Sequence, residues 1–271
     1  MTLVESALLR DFPHGFTTRE GGVSVAPYDA LNLGGKVGDD PAAVAENWRR
    51  LGARTGLAFA RVHQVHGARV VRLEEAGEPR EEADAVVSLT PGLAATVSVA
   101  DCVPVLLADP GSGAVAAVHA GWRGTIAGIA AEGVRALVRE AGAAPARLLA
   151  AVGPSIGPCC YEISGDLADR FERELGADVV TRGEAPHLDL WEANRRILAS
   201  AGLEPRNVEV LRRCTACERP LFYSHRRDAG RTGRQVAFVA PRGRALQDTY
   251  IGAGSGRNRL GRRFGPGGRP G

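Results

Sequence analysis

The sequence predicts an α+β protein, a single domain of mixed β-sheets flanked by helices. Apolar runs of strand length are interspersed with segments of helical periodicity, but they do not alternate as regular βαβ units. Hydrophobic residues make up 44% of the chain and charged residues 24%, which is ordinary for a globular protein. Its 271 residues can bury a single large core. We expect one domain over residues 1–245, followed by a disordered Gly- and Arg-rich tail over 246–271.

The first half of the chain is expected to supply one helix and most of the strands. Residues 39–56 have a helical pattern in which Asp40 is the cap, Pro41 suits the first turn and Gly56 ends the helix. Strands are predicted over 68–73, over 84–89, and in two apolar runs over 94–109 that are interrupted at Asp101-Cys102. A turn at Pro110-Gly111 should return the chain as a hairpin into the run AVAAVH.

The second half adds three helices and three strands. Apolar spacing predicts a helix over 125–141 and a buried strand over 148–153. Ser164 and Asp189 are placed to cap two further helices. The runs VEVLR and QVAFVA are predicted as late strands.

Charge and apolar patterning favour a cytoplasmic protein without membrane segments. The net charge is +3, but the segment after Asp248 carries five arginines and no acid, so the rest of the chain is mildly acidic. The N-terminal stretch has acids at Glu5 and Asp11 and no signal-peptide pattern, and no apolar run reaches the length of a membrane span. A basic tail could touch RNA, but a solubilising extension is the simpler interpretation, so a nucleic-acid partner is not expected.

Reactive side chains recur where predicted strands end. The motif HQVHG carries His63 and His66, ADCVP carries Asp101 and Cys102, and VHAGWRG carries His119. Two imidazoles and one thiolate can hold zinc and leave a fourth position open, which is the pattern of catalytic rather than structural zinc. Each residue alone could instead be a buried structural group, and Cys102 with His119 could be a nucleophile and its base.

Four arginines are candidates for binding substrate or phosphate, because a guanidinium can bind an anionic oxygen through two hydrogen bonds. They are Arg19, Arg123, Arg226 and Arg227.

The chain has five cysteines, an odd number that includes an adjacent pair, which argues against a disulfide framework. Cys214 and Cys217 have the spacing of half a zinc knuckle. No second CxxC or HxxxH pair accompanies them, so the sequence disfavours structural zinc there. The Pro-Cys-x-x-Cys signature of zinc nucleoside deaminases and the P-loop are both missing.

Taken together, the motifs resemble one family across residues 7–240. They are TREGGVS, LNLGGKVGDDP, HQVHG, ADCVPVLLAD, AAVHAGWRGT, GPSIGPCCYEI, LDLWEANRRIL and FYSHRRDAGRTGR. The chain is similar in these stretches to the laccase-domain family, also called multicopper polyphenol oxidoreductases, which includes the peptidoglycan editing factor.

This resemblance implies a zinc-dependent purine nucleoside phosphorylase with adenosine deaminase activity, acting on adenosine, inosine, guanosine and methylthioadenosine with phosphate. The zinc ligands that it implies are His66, Cys102 and His119, which would also be the catalytic residues. The chain departs from the family pattern at Lys36, where a histidine is common, and at His225, where an aromatic residue is common. A lysine cannot shuttle protons near neutral pH as imidazole does, so substrate preference or rate could differ.

Three other functions compete with the phosphorylase. The editing-factor members suggest amide hydrolysis of cell-wall precursors, with Cys102 as nucleophile and His119 as base. The older family name suggests phenol oxidation with copper instead of zinc, but six scattered histidines are few for a multicopper cluster. The third alternative is a non-enzymatic protein that binds a partner, and it predicts neither turnover nor a tightly bound metal.

Overall fold

A computed structural model describes residues 1–242, and it confirms the predicted α+β class with mixed sheets. Two β-sheets pack against each other and helices cover their outer faces. The predicted tail over 246–271 lies outside the described residues. Within the described part, no helix is both long and apolar enough to cross a bilayer.

The helices are α1 (Pro41–Thr55), α2 (Trp122–Ile126), α3 (Ile129–Ala141), α4 (Gly165–Leu175) and α5 (Leu190–Ser200). The strands are β1 (Leu3–Val4), β2 (His14–Thr17), β3 (Ala58–Ala60), β4 (Val70–Arg72), β5 (Ala85–Ser88), β6 (Leu93–Val99), β7 (Val103–Ala108), β8 (Val115–Ala120), β9 (Leu149–Val152), β10 (Val180–Thr181), β11 (His187–Leu188), β12 (Val208–Val210) and β13 (Gln235–Val239).

Both larger sheets are mixed. One has five strands in the order β1-β2-β13-β6-β3, and the other has six in the order β12-β9-β7-β8-β5-β4. The pairs β3–β6, β4–β5 and β12–β9 are parallel, and the other pairs in these sheets are antiparallel. Strands β10 and β11 form a separate antiparallel pair.

The six-stranded sheet is buried on both faces. Along β7, Val105 and Leu107 join the core shared with α3, α4 and α5, whereas Leu106 joins the core between the two sheets. This alternation follows from the period of two in a strand, and it explains why β7 is continuously apolar. On the far side, α1 covers the five-stranded sheet through a third core that contains Leu51 and Phe238.

Most predicted elements are present close to their expected bounds. Asp40 caps α1 by accepting from Ala42 N, and Gly56 ends that helix in the left-handed conformation. Ser164 and Asp189 accept hydrogen bonds from the first turns of α4 and α5. The turn at Pro110-Gly111 joins β7 and β8 as the expected hairpin, whose register pairs Pro104 with His119.

The prediction of a single helix over 125–141 is wrong in one respect, because two helices occupy this region. Helix α2 begins earlier, at Trp122, and ends at Ile126. Gly128 then adopts a left-handed φ of 76° and begins α3 at Ile129. A residue without a Cβ tolerates that conformation, so the apolar spacing continues across a break in the helix that periodicity does not detect.

Candidate metal and substrate site

His66, Cys102 and His119 converge at one edge of the sheets. Their potential ligand atoms all lie within 4.8 Å of one another. The two imidazole rings meet edge to face, with centroids 4.8 Å apart. His119 is buried, Cys102 is half-buried and His66 is exposed, so the group sits at a surface that a small molecule can reach.

Each of the three residues is positioned by a different element. His119 lies on β8, opposite the first residues of β7. Cys102 occupies the turn between β6 and β7, directly after Asp101, whose φ is 84°. His66 lies in the loop between β3 and β4 with a φ of 60°, a conformation that is uncommon for a residue with a side chain.

The buried carboxylate of Asp84 organises both histidines. Its Oδ1 atom lies 2.8 Å from His119 Nδ1 and also accepts the backbone N–H of His66 at 2.9 Å. Its Oδ2 atom accepts the backbone N–H of Gly67 at 2.6 Å. The carboxylate therefore engages Nδ1 of His119 and leaves Nε2 for the site, as outer carboxylates do for metal-bound histidines. Asp84 was not predicted as a site residue, and its one signal in the sequence is an acidic residue at the start of an apolar strand.

The electrostatics of the cluster favour the charged forms of Cys102 and His119 even without a metal. Burial alone would raise the pKa of the Cys102 thiol, but the charge of His119 and hydrogen bonds from both histidines lower it to about 6. Burial opposes the charged form of His119, yet the Cys102 thiolate and Asp84 raise its pKa to about 9. Cys102 is thus available as a thiolate near neutral pH, the form that binds metals and acts as a nucleophile.

The turn from β8 into α2 requires glycine. A Cβ atom at Gly121 would lie 2.9 Å from Cys102 Sγ and 3.1 Å from His66 Nδ1. Gly121 has φ −69° and ψ 171°, which any residue can adopt. Its role is therefore to leave space beside Cys102 and His66 rather than to supply an unusual backbone conformation.

The cluster lines a cavity of about 690 Å³. This volume is within the range of ~300–1,000 Å³ that is usual for small-molecule sites. Among the aromatic side chains in its wall, Trp122 and Tyr161 each carry a cavity arginine on the ring face, as Trp48 also does. Arg123 lies 4.3 Å from the Trp122 centroid, and Arg226 lies 5.1 Å from that of Tyr161. Stacking of this kind fixes a guanidinium while leaving its N–H groups to bind an anion.

Of the four predicted arginines, Arg123 and Arg226 line the cavity, whereas the structure does not bring Arg19 and Arg227 to it. Arg19 pairs with Asp29 at 3.0 Å and stacks on Tyr223. Arg227 pairs with the adjacent Asp228 and donates to backbone oxygens, including Thr215 O at 2.8 Å. Both side chains hold loops together.

Five other basic residues lie in the cavity wall, namely Lys36, Arg61, His63, His225 and Arg234. Lys36 and His225 are the two departures from the family pattern, and each could therefore contact a ligand. Arg234 is the last residue of the motif FYSHRRDAGRTGR and was not among the predicted site residues.

Asp101 joins the cluster to the arginine-bearing loop. Its carboxylate accepts from Thr215 Oγ1 at 2.6 Å, from Ser224 Oγ at 3.1 Å and from the backbone N–H of Arg226 at 2.6 Å. These bonds to two distant segments satisfy a buried carboxylate and fix the turn that carries Cys102. The sequence placed Asp101 at a strand end but could not indicate its partners.

Comparison with known proteins identifies close relatives. Residues 13–242 match the family described as multi-copper polyphenol oxidoreductase laccase. The chain is 47% identical over 231 residues to a purine nucleoside phosphorylase of Deinococcus radiodurans, covering 84% of this chain and 88% of that protein. It is 40% identical over 230 residues to purine nucleoside phosphorylase YfiH of Escherichia coli, covering 82% and 91%.

The fold is also similar to a solved structure. The crystal structure of YlmD from Geobacillus stearothermophilus superposes with a TM-score of 0.83 at 35% identity, covering 88% of this chain and 94% of YlmD. The similarity therefore extends over nearly the whole described domain.

Proposed function

This chain belongs to the multi-copper polyphenol oxidoreductase laccase family, and from that premise we propose that it is a zinc-dependent purine nucleoside phosphorylase. The main support for this proposal is the cluster of His66, Cys102 and His119, which offers three ligands and leaves a fourth position open. It lies in a cavity of about 690 Å³ that Arg123 and Arg226 also line. Relatives named purine nucleoside phosphorylases support the same activity.

The donor set of His66, Cys102 and His119 fits zinc. Two nitrogens and one sulfur within 4.8 Å match its preferred ligands, and three protein ligands leave a coordination position open. A zinc ion with a single thiolate keeps a net positive charge of about one, which attracts anions. When bound there, zinc would supply Lewis-acid polarisation of an oxygen ligand.

The protein residues perform the rest of the proposed reaction. Arg123 and Arg226 hold phosphate with one oxygen directed at the anomeric carbon of the ribose. That oxygen forms a bond to the carbon as the bond to the purine nitrogen breaks, and the electron pair leaves with the base. Protonation of the base completes its departure, giving free purine and ribose 1-phosphate. Positioning two reactants in this way removes much of the entropic barrier.

Adenosine, inosine, guanosine and methylthioadenosine are the proposed substrates, and the same site is proposed to deaminate adenosine. In that reaction water replaces the amino group of the purine and gives inosine and ammonia. The wall residues Trp122 and Tyr161, each with an arginine on one ring face, give the cavity aromatic surface that a purine can contact.

Product analysis tests the proposal. Purified protein is incubated with adenosine, with and without phosphate and with and without a chelator. We expect adenine and ribose 1-phosphate, formed only with phosphate and lost with the chelator. Inosine formed without phosphate would make deamination the main activity, and no conversion of any of the four nucleosides would contradict the proposal.

Replacement of Cys102 by Ala should remove the metal and lower turnover by more than ~100-fold, since loss of even an outer partner of a metal ligand costs ~10- to 100-fold. His187→Gln is the matched control, because His187 lies on β11 outside the cavity. Undiminished phosphorolysis by a metal-free Cys102→Ala protein would contradict the zinc assignment. Metal analysis of the parent protein separates zinc from copper.

A second candidate, amide hydrolysis with Cys102 as nucleophile and His119 as base, is favoured by one observation. The lowered pKa of Cys102 and its contact with His119, itself held by Asp84, also describe an activated cysteine. Alkylation of Cys102 that abolishes hydrolysis of a cell-wall precursor amide in chelator-treated protein would support this candidate. Sensitivity of that hydrolysis to the chelator would count against it.

A further inference from the structure

The other four cysteines converge on a second point of the structure. The Sγ atoms of Cys159, Cys160, Cys214 and Cys217 all lie within 4.8 Å of one another. The closest pairs are Cys160 Sγ to Cys217 Sγ at 3.4 Å and Cys159 Sγ to Cys217 Sγ at 3.6 Å. The chain has five cysteines, so every cysteine except Cys102 belongs to this group.

The spacing suits a single tetrahedral ion. A zinc ion with sulfur ligands at ~2.3 Å places those sulfurs ~3.8 Å apart, close to the separations observed here. A disulfide would need ~2.05 Å, so the four sulfurs are separate thiols. Four cysteines around one point is the closed pattern of structural zinc, in contrast to the open cluster at Cys102.

The backbone around the group is arranged to hold it. The N–H of Gly157 donates to Cys214 Sγ at 3.3 Å, a contact that stabilises a thiolate. Gly157 O also accepts the N–H of Cys160 at 3.0 Å, which closes the turn that carries the adjacent cysteines. Outer hydrogen bonds of this kind orient metal ligands.

Two segments distant in sequence are joined at this point. Ser155 N donates to Arg213 O at 3.1 Å, and Thr215 N donates to Ser155 O at 3.0 Å. This isolated β-bridge between Ser155 and Cys214 places the cysteine pair at 159–160 beside the cysteine pair at 214 and 217. Half a zinc knuckle at Cys214 and Cys217 therefore has a partner that the sequence did not reveal, because adjacent cysteines lack the usual two-residue spacing.

We propose that Cys159, Cys160, Cys214 and Cys217 form a structural zinc site that ties the loop at 153–163 to the segment at 213–218. This site does not depend on the proposed phosphorylase activity. Its four protein ligands leave no position for a substrate, so its role is to brace the fold.

The proposed zinc site is directly connected to the wall of the substrate cavity. Tyr161 follows the adjacent cysteines directly and lines the cavity. Thr215, between the other two, donates to Asp101, which precedes Cys102. Loss of ion from the cysteine group should therefore loosen the wall that carries Tyr161 and Arg226.

Metal counting on single-site variants tests the proposal. The protein is produced in zinc-supplemented medium and purified under reducing conditions. We expect it to hold about two zinc ions per chain, one in the open cluster that contains Cys102 and one at the four other cysteines. Cys102→Ala and Cys217→Ser should each retain about one. Cys217 is exposed, so its replacement leaves the core intact.

Cobalt(II) gives a readout that is independent of any activity. The Cys102→Ala protein, depleted of metal, should take up about one cobalt ion with the intense visible absorption of a tetrahedral thiolate site. The same titration of the double variant Cys102→Ala/Cys217→Ser should lose that absorption, while folding is followed by circular dichroism.

The proposal is overturned if the folded Cys102→Ala protein binds neither zinc nor cobalt and its four remaining thiols react freely or pair as disulfides. Iron in place of zinc at these four sulfurs would overturn the assigned metal. Because neither assay measures turnover, their outcome stays separate from that of the nucleoside experiment.

Discussion

At the scale of single residues, Asp84 connects the two histidines of the open cluster. It is fully buried and accepts backbone hydrogen bonds from the loop that carries His66, while it also contacts the ring of His119. A single carboxylate therefore sets both a loop conformation and the orientation of an imidazole. Residues in this position act through their neighbours rather than on substrate.

Replacement of Asp84 by Asn should weaken metal binding by ~10- to 100-fold, because the amide cannot supply the negative charge that holds the His119 ring. Competition with a chromophoric chelator measures the affinity. Asp109→Asn is a matched control, since Asp109 is also buried and accepts backbone N–H groups of its turn. Equal metal affinity in the two variants would refute the orienting role.

At the scale of elements, the site lies where strands end and the next element begins. The turn after β6 contributes Cys102, and the loop before β4 contributes His66. The turn after β8 contributes Gly121, whose missing side chain leaves space for both. The antiparallel pairing of β7 with β8 brings the turns after β6 and β8 together. Reactive groups held at strand ends are fixed by the sheet and still exposed to a cavity.

Gly121→Ala at the start of α2 tests this arrangement, because the added methyl group would press against Cys102 Sγ and His66 Nδ1. We expect the metal of the open cluster to be lost, while the unfolding free energy changes by about 1 kcal/mol or less, since the backbone angles suit alanine. Metal analysis and thermal unfolding give the two readouts. Gly165→Ala on α4 is the control, since nothing lies within 4 Å of its added methyl. Full metal content in Gly121→Ala would contradict the close approach.

At the scale of the whole molecule, strand β7 contributes to the cores on both faces of its sheet, so we expect the layers to unfold together. Leu106 packs between the two sheets and Leu107 packs against the helices, and both are fully buried. Adjacent residues of one strand thus stabilise different layers.

Leu106→Ala and Leu107→Ala should each lower the free energy of unfolding by ~2–5 kcal/mol, through lost burial and a residual cavity. Denaturant unfolding, followed by both circular dichroism and tryptophan fluorescence, should show one shared transition. Val25→Ala is the control, because Val25 is 74% exposed and its truncation should cost ~0.5 kcal/mol or less. Two separated transitions would contradict a single domain.

Local sequence was sufficient for most elements. The caps at Asp40, Ser164 and Asp189 and the turn at Pro110 are decided by neighbours in sequence, so residue type predicts them. The break at Gly128 was missed because the apolar spacing continues through it. Glycine alone does not distinguish a tolerated helical position from a left-handed one.

By itself the sequence determined the α+β class, the family, and the three residues that are candidates for the open metal site. It also gave most of the elements in order, but it did not predict strands β1, β2, β3, β10 and β11. The fold class, the family and the candidate ligands could be predicted because they depend on local propensity and on motifs that are contiguous in the chain. Only the tertiary structure decided which arginines reach the cavity, that Asp84 and Asp101 hold the cluster in place, and that two pairs of cysteines lie together. The physical reason is that these contacts join residues far apart in sequence, such as Cys160 and Cys217. Their proximity arises from the pairing of strands and loops and has no trace in local spacing.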